Sequence, residues 1–130
     1  MHFDRPFLFD GAFGTYYFSK TGDEAPCELA NLTAPQTVLD IHREYAAANP
    51  VSIPDSVRLN EVIAAGWSLA QRAAQENGAR VFADIGGICA DTAEADYLTV
   101  VRHFLELGAQ NFLFETLACY QDVQRAVGLI

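Results

Sequence analysis

The sequence predicts an α/β protein built around a parallel sheet. Short runs that are apolar throughout alternate with segments of helical periodicity, and two of those runs recur one strand–helix step apart, Phe82 to Leu113 being 31 residues. Continuous rather than alternating apolar strands are what a sheet covered on both faces requires. A third observation points the same way: each apolar run delivers a carboxylate at or near its end, where parallel α/β folds gather their reactive groups.

The elements follow in order. Phe7-Leu8-Phe9 is a strand stopped by the turn signal Asp10-Gly11. Residues 15–33 carry Gly22 and Pro26 without sustained periodicity and read as an irregular excursion. Helix one is expected over about 34–48. Thr33 and Gln36 have capping-box spacing, Pro35 sits where a missing N–H costs nothing, and Val38, Ile41 and Tyr45 repeat at helical spacing. Pro50 and Pro54 bracket Val51-Ser52-Ile53, which reads as a linker rather than a buried strand. Helix two follows with the stripe Leu59, Val62, Ile63, Gly66, Ala70, Ala73 and Ala74, and Asn77-Gly78 ends it. Residues 80–85 form a strand closing in Gly86-Gly87. A third helix opens at Asp91 with Glu94 three residues on, carries Leu98, Val101 and Leu105, and stops at Gly108. Residues 111–117 make another strand, and Val123, Val127 and Ile130 mark a fourth helix. Four helices thus accompany three strands, and the strand absent from the alternation falls at 49–55.

Charge narrows the partners. Eight Lys+Arg against 17 Asp+Glu give −9, with no basic cluster, which excludes nucleic acid and anionic membranes as partners. No apolar run approaches the ~18 residues that span a bilayer, and Asp4 and Arg5 interrupt any signal-peptide layout, so a cytoplasmic protein is expected. Cys27, Cys89 and Cys119 are odd in number and unpaired in spacing, which favours reduced thiols.

Asp10, Asp84 and Glu115 are the candidate chemistry. Carried to one mouth by three strands, they suit either a cationic group such as a substrate ammonium or a hard divalent metal. Gly11-Ala12-Phe13-Gly14-Thr15 is no phosphate loop: no Lys follows, and no helix is expected to begin there. Its glycines instead allow close backbone approach to a ligand. His42 reads as a helix-surface or packing residue and Trp67 as core or barrel-shell filling.

These residues have a familiar order. Leu8-Phe9-Asp10-Gly11-Ala12-Phe13-Gly14-Thr15 resembles the Asp-Gly-Ala-Met-Gly-Thr opening of the homocysteine S-methyltransferases, the family that includes the homocysteine-binding module of cobalamin-dependent methionine synthase. Glu28-Leu29-Ala30-Asn31-Leu32-Thr33-Ala34-Pro35 and Ile41-His42-Arg43-Glu44-Tyr45 are similar to its Leu-Asn-Leu-x-x-Pro segment and His-Arg-x-Tyr helix. Asp84-Ile85-Gly86 resembles its strand-three motif, and Phe114-Glu115-Thr116-Leu117 its strand-four Glu-Thr.

The resemblance implies a (β/α)8 TIM barrel, of which residues 1–130 would be the N-terminal half: strands 1, 3 and 4 with helices 1–4, the strand-2 region missing. It implies methyl transfer to the thiol of homocysteine, forming methionine. Glu115 would hold the substrate ammonium, and Asp10, Gly11, Ala12, Gly14, Thr15 and Asp84 would shape the same pocket. Zinc would hold the thiol as thiolate, on three cysteines expected outside this sequence. Gly86-Gly87-Ile88-Cys89 only imitates the family's Gly-Gly-Cys-Cys, having one cysteine and aligning with a different strand. The methyl donor would be methylcobalamin charged from methyltetrahydrofolate, or S-methylmethionine or a betaine, bound by other parts. The 130 residues alone are expected to be inactive and, with exposed sheet edges and apolar faces including Val127 and Ile130, to self-associate. Two alternatives stand beside it: a divalent-metal-dependent barrel lyase working through the same Asp10, Asp84 and Glu115, and a non-catalytic truncated relative that oligomerises.

Overall fold

The computed structural model describes residues 12–45, 56–88 and 91–130. In chain order these form α1 (Phe13–Thr21), a 3-10 turn (Cys27–Leu29), α2 (Ala30–Thr33), α3 (Pro35–Tyr45), α4 (Ser56–Asn77), β1 (Ala83–Ile85), α5 (Ala93–Glu106), β2 (Phe112–Phe114), a second 3-10 turn (Tyr120–Val123) and α6 (Gln124–Val127). The expected fold class is corrected. Among the described residues the chain is mainly helical, six helices with one two-stranded parallel sheet, and a partial TIM barrel of strands 1, 3 and 4 does not fit. The strand expected at 7–9 and the linker at 49–55 lie outside the described residues. Two strands of three residues are too narrow to organise the helices around a sheet, so helices meet helices instead.

Two apolar cores result, and α4 serves both. Its stripe buries Val62, Ile63, Trp67, Ala70, Ala73 and Ala74, close to the face read from the sequence, and Gly78 closes it at φ 72° with its N–H bonded to the Ala74 carbonyl at 2.8 Å. In the first core Ile63 and Trp67 pack with Ala83 and Ile85 of β1, Tyr97, Val100, Val101 and Phe104 of α5, and Val123 and Ala126. Trp67 donates its indole N–H to the Leu107 carbonyl at 3.1 Å and meets Phe104 edge-on. In the second, Phe13 and Tyr17 of α1, Ala30 of α2, and Val38 and Ile41 of α3 meet Leu69 of α4, with no strand among the described residues involved. His42 is buried, its ring 5.4 Å from that of Phe13, so of the two readings, helix surface or packing, it is a packing residue. Arg43 forks onto Glu76 at 2.7 and 2.8 Å, tying α3 to α4 at the surface.

Individual elements also differ from the sequence expectation. α1 begins inside the segment expected to be loop: Phe13 and Tyr17, four residues apart, stack on one face, and Gly22 at φ 69° ends the helix. The capping box does not form. Thr33 belongs to α2 and donates to the Leu29 carbonyl, Gln36 turns to Asp40, and the Ala34 carbonyl accepts the Val38 N–H at the start of α3. α5 starts from Thr92 rather than Asp91 and turns Tyr97, Val100, Val101 and Phe104 inward, leaving Leu98 and Leu105 half-buried. Its end is as expected: Gly108 at φ 85° donates to the Leu105 carbonyl and Ala109 to that of Phe104, a Schellman closure. The fourth helix is reduced to the second 3-10 turn and α6, which bury Val123 and Ala126 and leave Val127, Leu129 and Ile130 exposed. No helix among the described residues is long and apolar enough to cross a membrane.

Candidate functional site

β1 and β2 pair in parallel with Ala83 opposite Phe112, Asp84 opposite Leu113 and Ile85 opposite Phe114. α5 is the crossover between them, so the strand–helix–strand unit expected from the 31-residue step is present. Ala83 and Ile85 are buried in the first core, and Asp84, alternating with them, is half-buried on the opposite face. Glu115 directly follows β2. Its backbone N–H donates to the Ile85 carbonyl at 3.1 Å, which extends the pairing past the last strand residue, while its side chain is exposed. Asp84 and Glu115 therefore lie near the shared C-terminal end of one strand pair.

The chain beyond β1 is tightly packed against the chain beyond β2. A Cβ on Gly87 would overlap the Thr116 carbonyl oxygen and stand 3.3 Å from its carbon, so only glycine permits this approach. Thr116 itself has φ 53°, in the left-handed region that a β-branched residue avoids. From the helix side, the buried Tyr97 hydroxyl accepts the Ile88 N–H at 2.7 Å and donates to the Gly86 carbonyl at 3.3 Å. The Tyr97 ring meets Phe114 at 6.5 Å and 62°. Sequence reasoning missed Tyr97, because the stripe of α5 was laid through Leu98. The signal was present in its spacing: Tyr97, Val101 and Phe104 follow i, i+4, i+7.

The rest of the expected site divides. Asp10 and Gly11 lie outside the described residues. Ala12 is exposed and precedes α1, its carbonyl accepting the Tyr16 N–H at 3.2 Å. Gly14 and Thr15 lie within α1, so the close-approach loop is a helix from Phe13 onward. A Cβ on Gly14 would stand 3.3 Å from the Cys27 sulfur, which ties this segment to the helical core rather than to the strand ends.

The described residues do not fit a zinc ion. They contain no group of three His, Cys, Asp or Glu with metal-holding geometry. Cys27 is half-buried, and burial first, then the neighbouring Glu28, pushes its thiol up to about 11, so it stays protonated near neutrality. Cys119 is exposed and donates to Gln121 at 2.9 Å. Cys89 lies outside the described residues.

Elsewhere Tyr16, Lys20 and Glu44 form a surface cluster. Tyr16 donates to Glu44, Lys20 reaches Glu44 at 2.7 Å, and the Lys20 ammonium lies 4.9 Å from the Tyr16 ring centroid. The hydrogen bond from Lys20, then that from Tyr16, holds the Glu44 carboxyl below its usual range. These bonds tie α1 to α3. No family model matches the chain, and a search of curated proteins finds no match to it.

Proposed function

We propose that this chain supplies the amino-acid-binding part of a methyltransferase that moves a methyl group to the thiol of homocysteine, forming methionine. The observation that carries the reading is the meeting of two family-like motifs, Asp84-Ile85-Gly86 and Phe114-Glu115-Thr116-Leu117, at the ends of adjacent parallel strands, joined by the Glu115 N–H to Ile85 carbonyl bond. Strand ends of this kind are where parallel α/β units bind ligands. Glu115 is the residue for the substrate ammonium: its carboxylate is exposed and follows the last strand residue. In the reaction class, the thiolate sulfur forms the new bond to the methyl carbon as the donor's bond to that carbon breaks, its electron pair leaving with the donor. Work in the cytoplasm is in keeping with this reading and with the free thiols of Cys27 and Cys119.

Titration calorimetry of the chain with homocysteine, and with 4-mercaptobutanoate, which keeps the thiol and carboxylate but lacks the ammonium, tests the proposal. An exposed ion pair contributes up to about 1 kcal/mol, so Glu115→Gln should weaken homocysteine binding about fivefold and leave the analogue unaffected. Absence of homocysteine binding, or equal loss for both ligands, overturns it.

A further inference from the structure

We propose that Tyr97 is a positioning residue for Glu115, acting through the backbone turn that joins β1 to the segment before α5. This rests on the reading of Glu115 as the ammonium-binding group, but the clamp itself stands on packing alone. The Tyr97 hydroxyl is both acceptor for the Ile88 N–H and donor to the Gly86 carbonyl, so one buried oxygen ties the two ends of Gly86-Gly87-Ile88 together. The middle residue of that turn, Gly87, lies against the carbonyl of Thr116, the residue after Glu115. The Tyr97 ring lies against Phe114, the residue before Glu115. Glu115 is thus held from both sides by elements that Tyr97 touches, and its own N–H closes the arrangement on Ile85. A hydroxyl buried in an apolar core and satisfied by two backbone groups fixes a loop far more tightly than apolar packing, because releasing it strands a donor and an acceptor away from water. Left-handed Thr116 is the strained element such a clamp has to hold.

The test is Tyr97→Phe, which keeps the ring and removes only the hydroxyl, followed by residue-resolved amide hydrogen exchange on the full chain. The clamp predicts that the Ile88 amide, which loses its acceptor, and the Glu115 amide, which Tyr97 does not bond, both exchange about tenfold faster, while the Ala70 and Ala73 amides inside α4 keep their rates. Acceleration at Ile88 alone overturns the inference. Should Tyr97→Phe fail to fold, the unmutated chain decides: the Ile88 and Glu115 amides must open with one common urea dependence, and two separate dependences overturn the clamp.

Ligand binding supplies the readout that a purely structural role would not move. In Tyr97→Phe the preference for homocysteine over 4-mercaptobutanoate should fall about as far as in Glu115→Gln, and Glu115→Gln added to it should cause little further loss. Equal weakening of both ligands, or full additivity of the two substitutions, overturns the positioning role. If the unmutated chain binds neither ligand, the homocysteine reading falls by itself, and the exchange measurement still decides whether the clamp exists.

Discussion

Gly87→Ala is the sharpest test of how the two strand ends are packed. The new Cβ would overlap the Thr116 carbonyl oxygen and stand 3.3 Å from the carbonyl carbon, both of them backbone atoms that cannot rotate away. Relief requires the segment after β2 to move outward, and the first bond to open is the one from the Glu115 N–H to the Ile85 carbonyl, now 3.1 Å. Overpacking of this kind costs about 1–3 kcal/mol, and a lost hydrogen bond adds about 0.5–1.5 kcal/mol. The expected destabilisation is therefore about 1.5–4.5 kcal/mol. Gly66→Ala is the matched control. There the new Cβ meets the Asn31 side-chain amide, 2.6 Å from its nitrogen, and that amide can swing off the Val62 carbonyl it bonds at 3.3 Å. The lost bond, again about 0.5–1.5 kcal/mol, is offset by the roughly 1 kcal/mol by which Ala exceeds Gly in a helix interior. Urea unfolding followed by the single tryptophan, Trp67, buried against Phe104, reads both variants. Gly87→Ala should shift the midpoint strongly at unchanged slope, and Gly66→Ala should lie within about 1 kcal/mol of the parent. A Gly87→Ala midpoint as close to the parent as that of the control would refute the packing described for the strand ends.

Three further outcomes are expected. Thr116→Gly removes a β-branched side chain from φ 53°, relieving roughly 1–2 kcal/mol of strain against about 0.5–1 kcal/mol of added chain entropy, so the midpoint should rise slightly. Phe104→Ala empties the space between Trp67 and Phe112 and should cost about 3–5 kcal/mol with a red shift of Trp67 emission; a smaller loss would show that the first core does not centre on α5. Because the folded state holds the Cys27 proton to about pH 11 and the unfolded thiol gives it up near 9, Cys27 favours unfolding as pH rises through that window and has no effect below it. The stability difference between the parent and Cys27→Ala, followed by urea unfolding from pH 7 to 11, should be flat at first and then shrink; a constant difference would contradict it.

The parts legible in the sequence were those set by neighbours in the chain. The stripe and glycine end of α4, the glycine closure of α5, and the strand–helix–strand step from β1 to β2 all follow from local periodicity and from the conformational freedom of Gly78 and Gly108. The places of Asp84 within β1 and of Glu115 just after β2 follow from the same unit. α1 was hidden because Gly14 suggests a loop, and its helical state is settled by the burial of Phe13 and Tyr17 against α3, residues far along the chain. The inward turn of Tyr97 was equally hidden: Leu98 has the stronger apolar signal, but it is the Tyr97 hydroxyl that meets both Gly86 and Ile88. Fold class itself was decided at the tertiary level. Sequence determined which segments could be helix or strand and which carboxylates would follow strands, because those depend on spacing and backbone freedom. Whether the helices would cover a wide sheet or pack on one another depended on how much strand is assembled, and among the described residues two three-residue strands leave α1, α2 and α3 to bury their apolar faces against one another and α4.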